Sequence, residues 1–409
     1  MHGLDRREVA LLAAAVVVGT AACKRSEESE PAARREPGPP AGSSTRAVSA
    51  GPPDAGAITA PPALPEAPPL PPSPRGLPPL ASPEHNPTTP EKVELGRVLF
   101  FDPRLSATGK TSCASCHQPQ RGWADGIARA RTDAGQPNLR HTPSLYNVGY
   151  HREWGWDGVM PTIEALILSH WKGQLGRRPE DAVALLRRAP EYAARFTRAF
   201  AAPAEHRPAQ SAGAVEHQAS SAGAVERPAP SAGPAQHRPA QGAVGLERDH
   251  VAEALAAFLR TVTSGDSAVD RHETGPARAL PLDAEAGRKI FSKRAGCATC
   301  HPPPLYTDLE FHDRGIAMAD RGRDPGRMRV TADARQLGAF KTPGLRSLIH
   351  SAPYFHDGSA ATLEAAMNSE LARDRIILST LERAQLLAFL RALSAPPETV
   401  ARPALPALP

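Results

Sequence analysis

Two pentapeptides, which begin 184 residues apart, constrain this chain more than any other feature. They are Cys113-Ala114-Ser115-Cys116-His117 and Cys297-Ala298-Thr299-Cys300-His301, and each has the pattern C-x-x-C-H. This pattern is typical of c-type haem attachment, in which the cysteines form thioethers to the porphyrin and the histidine ligates the iron. The chain has five cysteines, and the two motifs use four of them. We therefore predict two covalently bound haems, with His117 and His301 as proximal iron ligands.

Two other uses of a Cys-x-x-Cys pair are possible alternatives. A structural zinc site needs its pairs closer together in sequence, and here each pair carries its own adjacent histidine. A thioredoxin-like redox pair needs a βαβ setting, and no strand-like pattern surrounds either motif. Both alternatives therefore fit the sequence less well than haem.

The amino terminus has the pattern of an export signal. Arg6 and Arg7 precede an apolar run over residues 9–18, which is too short to span a bilayer. Thr20-Ala21-Ala22-Cys23 is similar to a bacterial lipobox. We predict that residues 1–23 form a signal peptide and that Cys23 is lipidated, with an ordinary signal peptide as the alternative. The expected location is the periplasm, with a lipid anchor as the membrane contact.

Three other segments lack the pattern of a folded domain. Residues 24–87 are rich in Pro and Ala, and residues 203–244 contain the hexapeptide SAGAVE twice. Such segments cannot bury enough apolar surface to offset their ordering entropy. We predict a disordered tether at 24–87, a low-complexity loop at 203–244 and a disordered tail at 397–409. The net charge of +5 is spread mostly over single arginines, so nucleic-acid binding is not expected.

The rest of the chain has helical patterns. Thr89-Pro90 is typical of a helix start, and Ser379 to Glu382 of a capping box. Asp283 opens a further helix before the second motif. An apolar stripe at helical spacing predicts another one: Val251, Leu255, Phe258, Leu259 and Val262. We predict a mainly α fold of two cytochrome c-like haem domains packed together, at residues 88–275 and 276–396.

Longer motifs around the pentapeptides resemble those of the bacterial dihaem cytochrome c peroxidase/MauG family. They are LGRVLFFDPRLS at 95–106, TPSLYN at 142–147, WDG at 156–158, FKTPGLR at 340–346 and APYFHDG at 352–358. The resemblance covers about residues 86–395, apart from the predicted loop. It implies that the amino-terminal haem reacts with hydrogen peroxide. The carboxy-terminal haem would then transfer electrons from a small donor protein, such as a cytochrome c or a cupredoxin.

The resemblance also implies roles for residues near the first haem. Trp156 matches the tryptophan between the haems, an electron relay, with core packing as the alternative reading. The family's distal acid–base glutamate falls near Gln174, which can hydrogen-bond peroxide but cannot exchange a proton in the same way. His170 and Glu164 are nearby groups that could move the proton instead. The segment 132–136 lacks the distal histidine of some members, so the first iron is expected to be open to peroxide.

Two ligand questions stay open at the second haem and between the domains. The position of methionine in the peroxidases, or tyrosine in MauG, falls on Glu370, and Met367 lies one helical turn away. A thioether ligand would raise the reduction potential and a carboxylate would lower it, while core packing is the alternative for Met367. The family's calcium ligand asparagine is His141 here, a poor ligand for a hard cation. Carbonyls of Ser351 and Pro353 could still bind calcium.

Three functions are consistent with these features. The first is a periplasmic dihaem peroxidase, for which the family branch makes a homodimer usual. The second is a MauG-like enzyme that oxidises residues of a protein or peptide partner. Gln174, the missing distal histidine and the absent consensus methionine favour it. The third is a dihaem electron carrier, which would require both irons to be six-coordinate.

Overall fold

A computed structural model describes residues 63–201, 246–275, 280–316, 323–397 and 400–408. The predicted signal peptide with Cys23, most of the predicted tether and all of the predicted loop lie outside the described residues. No helix within the described ranges has both the length and the hydropathy that crossing a bilayer requires.

The described chain is mainly helical, as predicted. The first part contains α1 (Pro90–Phe100), α2 (Cys113–Cys116), α3 (Ile163–Gln174), α4 (Pro179–Leu186), α5 (Pro190–Phe200) and α6 (Arg248–Thr261). The second contains α7 (Ala268–Thr274), α8 (Leu282–Lys289), α9 (Met328–Thr331), α10 (Leu363–Arg373) and α11 (Thr380–Ala392). A π-helical turn (Ile290–Arg294) extends α8. Two three-residue strands, β1 (Phe311–Asp313) and β2 (Ala339–Lys341), pair antiparallel.

The described residues form two separate apolar cores, while the predicted division into two domains stays a prediction. One core runs from Leu95 to Val262 and the other from Val269 to Leu393, and we call the surrounding parts the first and second lobes. Helix α7 contributes Val269 to the second core. The second lobe therefore begins before the predicted division at 275/276.

The same helix crossing organises both lobes. Helix α1 packs on α6 in the first lobe, and α8 packs on α11 in the second. A Cβ atom at Gly96 would lie 2.0 Å from the carbonyl oxygen of Ala254, and one at Gly287 would lie 1.9 Å from that of Gln385. Only a glycine leaves room for backbones to approach this closely. The crossing holds each helix pair beside its C-x-x-C-H motif.

The predicted helix starts are present. The Thr89 side chain accepts a hydrogen bond from the amide of Lys92, and Pro90 occupies the first helical position. Ser379 and Glu382 form the predicted capping box at the start of α11. These caps satisfy backbone donors that have no partner within their own helices.

A constant offset of 200 residues relates one part of each lobe to the other. Thr162 caps α3 through the amide of Ala165, and Thr362 caps α10 through that of Ala365. Trp154 pairs with Met160 just as Tyr354 pairs with Ala360. The left-handed residues Asn147 (φ 61°) and Ser347 (φ 53°) also correspond. Residues 141–174 and 341–374 are therefore structurally equivalent.

Two equivalent backbone hydrogen bonds join the lobes. The amide of His141 donates to the carbonyl of His356 at 2.7 Å, and the amide of Lys341 donates to the carbonyl of Trp156 at 2.8 Å. Because the donors and the acceptors are each 200 residues apart, the contact is reciprocal. It fixes how the equivalent segments face one another.

The prediction of a disordered tether as far as residue 87 is wrong for its last part. Arg346 donates to the carbonyl of Gly76 at 2.9 Å, and the Tyr150 hydroxyl donates to that of Pro78 at 2.7 Å. Asn86 is fully buried. The composition of this segment predicted disorder because it has few apolar side chains to bury. Hydrogen bonds to its backbone carbonyls hold it instead.

The prediction of a disordered tail is wrong for residues 400–408. Val400, Leu405 and Leu408 pack against the first core. Arg97 and Arg104 donate to the carbonyls of Ala401 and Pro406. The chain therefore returns from the second lobe to the first.

Candidate haem centres

One cavity of about 960 Å³ extends through both lobes, and both C-x-x-C-H motifs line it. The helix crossings supply apolar wall residues: Phe100, Leu255 and Leu259 in the first lobe, and Phe291, Leu386 and Leu390 in the second. The four motif cysteines are free thiols. Each lobe thus presents two thiols and one histidine to an apolar space.

Both motif histidines are held in the form that ligates iron. His117 Nδ1 lies 2.9 Å from the Trp123 carbonyl, and His301 Nδ1 lies 3.0 Å from that of Tyr306. A carbonyl can only accept, so Nδ1 carries the proton and Nε2 keeps its lone pair for a metal. Burial lowers the pKa of His117 to about 4 and also lowers the pKa of His301. Both rings are therefore neutral near pH 7.

The cysteines are in apolar surroundings that disfavour a zinc thiolate site. Desolvation raises the pKa of Cys113 to about 12 and that of Cys297 to about 11. Zinc ligation requires thiolates, whose formation this burial opposes. Among the described residues, the cluster with metal-ligand spacing is Cys300, Asp308 and His312, which takes one cysteine from a single motif. The donor set therefore fits two c-type haems, one in each lobe.

Trp156 lies where the two lobes meet and lines the shared cavity. Its indole Nε1 donates to the carbonyl of His141 at 2.9 Å. Its ring meets that of His356 edge-on, with 6.4 Å between centroids, and His356 stacks on Phe340 at 3.6 Å. The position suits a relay between haems, and that role stays a prediction.

Helix α3 brings two of the three predicted polar groups to the cavity of the first lobe. Gln174 lines the cavity, and its Oε1 accepts from Asn138 Nδ2 at 2.9 Å. His170 also lines it, and sequence reasoning had named this residue only for its nearness in the chain. The equivalence to Glu370 is the sequence signal that could have placed it.

Glu164 is held elsewhere. Its carboxylate accepts from Asn86 at 2.7 Å and from Arg260 at 2.6 Å, and these partners lower its pKa against the effect of burial. Glu164 is not among the described residues that line the cavity. It therefore serves the packing of α3 on α6 rather than the haem site.

The two candidate ligands of the second haem have different surroundings. Met367 is 7% exposed, belongs to the second core and lines the cavity. Glu370 also lines it, but its carboxylate accepts from Arg314 at 2.9 Å and pairs with Arg373 at 3.3 Å. The Met367 thioether thus has no charged partner, whereas the Glu370 carboxylate is paired with two arginines.

The residue in the place of the calcium ligand has protein partners. His141 Nδ1 lies 2.9 Å from the Ile127 carbonyl and 4.0 Å from the carboxylate of Asp125. Ser351 and Pro353 line the cavity nearby. Calcium binding stays a prediction.

The comparisons with known proteins agree with this geometry. A family model described as "Di-haem cytochrome c peroxidase" matches residues 90–278. The "Methylamine utilization protein MauG" of Methylorubrum extorquens is 34% identical over 79% of this chain and 84% of its own length. "Cytochrome-c peroxidase IdrP1" of Denitromonas iodatirespirans is 29% identical over 70% of this chain and 74% of its own length.

A solved structure is similar over both lobes. It is the "Crystal structure of a MauG-like protein associated with microbial copper homeostasis", with a TM-score of 0.61 and 26% identity. The match covers 78% of this chain and 94% of that one. The similarity in structure therefore includes the lobe that carries the second motif as well as the first.

Proposed function

This chain belongs to the dihaem cytochrome c peroxidase/MauG family, and we propose that it is a periplasmic peroxidase that reduces hydrogen peroxide to water. Family membership makes it a peroxidase-like oxidoreductase with two c-type haems. The observation that carries the proposal is one cavity onto which both motif histidines open, with Trp156 at the junction.

The first lobe supplies the peroxide site in this proposal. When bound, the haems supply the redox chemistry: peroxide binds at the first iron, and both centres store and pass electrons. His117 would hold the first haem iron through Nε2, and the Trp123 carbonyl fixes the ring orientation. Gln174 offers an amide to a bound peroxide from α3.

The second lobe supplies the electron entry. His301 and Met367 would hold the second haem iron, and we choose Met367 over Glu370 because its thioether is buried and has no cationic partner. Thioether ligation favours a high potential, which suits acceptance of electrons from a cytochrome c or a cupredoxin. Trp156 passes electrons between the lobes. The overall reaction consumes one peroxide, two protons and two electrons and releases two waters.

Export and anchoring complete the proposal. Attachment of c-type haem outside the cytoplasm agrees with the export pattern of residues 1–23, and Cys23 would hold the enzyme at a membrane through lipid. Intact-mass measurement of the matured protein tests this: lipidation predicts a diacylglycerol-modified Cys23 as the first residue.

A second candidate is oxidation of a protein partner. The relatives named MauG, at 34% and 30% identity, and the MauG-like solved structure favour it. In that case peroxide supplies the oxidising equivalents, and residues of the partner supply the two electrons in place of a donor protein.

One experiment separates the two candidates. The holoprotein, verified to carry two haems per chain by pyridine haemochrome assay, is mixed with hydrogen peroxide and a reduced cytochrome c or cupredoxin. Steady oxidation of the donor supports the peroxidase. A long-lived oxidised protein without donor turnover supports the MauG-like reaction. Absence of any reaction with peroxide would contradict both. Trp156→Phe should slow donor turnover while leaving the haem content at two.

A further inference from the structure

Position 170 in the first lobe is equivalent to position 370 in the second. Thr162 and Thr362 cap α3 and α10, and His170 and Glu370 each lie eight residues beyond their cap. The residues before them, Ser169 and Ser369, are identical. The helix frame therefore places an imidazole in the first lobe where the second has a carboxylate.

Equivalent positions of α3 and α10 face the cavity. His170 and Gln174 line the cavity on α3, as Glu370 and Asp374 do on α10. Residues four apart share one helix face. His117 and His170 both line this cavity. His170 thus belongs to the side of the cavity that receives peroxide.

The ring of His170 is held in one tautomer. Its Nδ1 lies 3.0 Å from the Leu166 carbonyl, so Nδ1 donates and Nε2 keeps its lone pair. Within the described ranges, no hydrogen-bond partner of Nε2 is present. The His170 side chain is partly exposed to solvent, but the protein atoms packed around the ring desolvate it and lower its pKa, so the ring is neutral near pH 7. A neutral, oriented imidazole with a free Nε2 is suited to accept a proton.

The neighbouring candidates cannot perform this task. Gln174 has an amide, which does not exchange protons in this range. Glu164 is bound by Asn86 and Arg260 and faces α6. At the equivalent place in the second lobe, Glu370 is paired with Arg314. Of the polar groups on α3 that sequence reasoning considered, His170 is the one with a free acceptor at the cavity.

We propose that His170 is the acid–base catalyst of the peroxide site, a proposal that rests on the proposed function. Its Nε2 takes the proton from the peroxide oxygen nearer the iron and delivers it to the far oxygen. The O–O bond breaks, and the far oxygen leaves as water. Two electrons pass from the haem centres to the oxygen atoms and are returned by the donor. Two protons from solvent convert the remaining oxygen to the second water.

The test compares His170→Ala and the bulkier His170→Gln with the wild-type holoprotein. Rapid mixing of the ferric protein with hydrogen peroxide should show a rate constant about 10²- to 10⁴-fold lower in both variants. Added imidazole should restore part of the rate in His170→Ala. Lys172→Ala is the matched control, because Lys172 is an exposed residue of the same helix, and its rate should equal that of the wild type.

Two measurements do not depend on peroxide turnover. Cyanide binds iron as an anion, so hydrogen cyanide must lose its proton, and its binding should be slower in both His170 variants. Low-temperature EPR should show a high-spin ferric first haem in wild type and variants alike. An unchanged signal from the second haem verifies that the variants fold.

Each contrary result is decisive. A wild-type rate with peroxide in both variants would show that His170 is not the catalyst. A low-spin first haem that becomes high-spin only in the variants would make His170 an iron ligand and overturn the proposal. If the wild type does not react with peroxide at all, the proposed function fails, and the cyanide rates still decide whether His170 is a base.

Discussion

The two lobes share a backbone frame but differ in the residues that the frame presents to the cavity. The helix crossing, the threonine caps and the 200-residue offset are common to both. Three cavity-facing pairs differ in chemistry: Ile167 and Met367, His170 and Glu370, and Gln174 and Asp374. In the proposed function, one scaffold therefore holds a peroxide site in the first lobe and an electron-transfer site in the second, and the residues that distinguish them lie on equivalent faces of α3 and α10.

The lobes also differ in buried charge. Arg346 forms a pair with Asp270 at 2.8 Å, and both side chains are almost fully buried. Tyr146 occupies the equivalent position in the first lobe. The second lobe therefore depends on an ion pair where the first has a phenol ring.

The largest effect is expected from blocking the helix crossings. Gly96→Ala and Gly287→Ala would each place a Cβ within about 2 Å of a backbone carbonyl oxygen, so we expect losses of about 4 kcal/mol or more in unfolding free energy. Thermal unfolding and haem content measure this. Gly173→Ala in α3 is the control, since no atom lies within 4 Å of its added Cβ, and it should stabilise by about 1 kcal/mol. Tolerance of one variant but not the other would break the equivalence of the crossings.

The next effect is expected from the buried ion pair of the second lobe. Arg346→Met would leave the Asp270 carboxylate buried without its cation, at a cost of about 3 kcal/mol in urea unfolding. Arg335→Met, which breaks the exposed pair with Asp333, should change stability by less than about 0.5 kcal/mol. The double variant Arg346→Met/Asp270→Asn should recover much of the loss. Equal costs for the buried and exposed pairs would contradict this account.

The pH dependence of the unfolding free energy should also distinguish Trp156 from its equivalent, His356. Burial lowers the pKa of His356 to about 4 from 6.5, so the unfolded chain binds more protons between these values. The stability from neutral His356 is therefore full above pH 6.5 and is lost as the pH falls toward 4. Replacing it by Phe should reduce the loss between pH 7 and pH 5 by about 2 kcal/mol. Denaturation curves at the two pH values measure this, and Trp156→Phe should leave the difference unchanged.

The smallest effect on stability is expected from exchanging the apolar pair of cavity residues. Met367→Leu and Ile167→Met conserve volume, so each should cost less than about 1.5 kcal/mol. Met367→Leu should nevertheless remove the low-spin EPR signal of the second haem and lower its potential. Ile167→Met should offer a thioether to the first iron and slow its reaction with peroxide. If the signal survives in Met367→Leu but not in Glu370→Gln, the carboxylate is the ligand.

The sequence predicted the features that depend on short-range patterns. The C-x-x-C-H motifs, the Thr89-Pro90 start, the Ser379–Glu382 capping box and the stripe of α6 are all present in the fold. Each of these is a relation between residues a few positions apart, which helical geometry fixes.

The features that the sequence did not predict depend on contacts between residues far apart in the chain. The proline-rich approach to Asn86 has no periodicity, and its order comes from Arg346, about 270 residues away. Glu164 binds Arg260 of α6 whereas His170 lines the cavity, because they lie on different faces of α3. Only an alignment of the two halves of the sequence could have predicted which face of α3 meets α6. The relay role predicted for Trp156 comes from the family resemblance, which does not give its contact with His356.

The return of residues 400–408 to the first lobe has a consequence for dissecting this protein. Residues near both ends of the described chain contribute to the first lobe. If the chain were cleaved once between α7 and α8, the packing of Val400, Leu405 and Leu408 against the first core would still hold the two fragments together. Expression of the second half alone would expose those apolar side chains, and a carboxy-terminal purification tag would be attached next to a segment that packs against the first lobe.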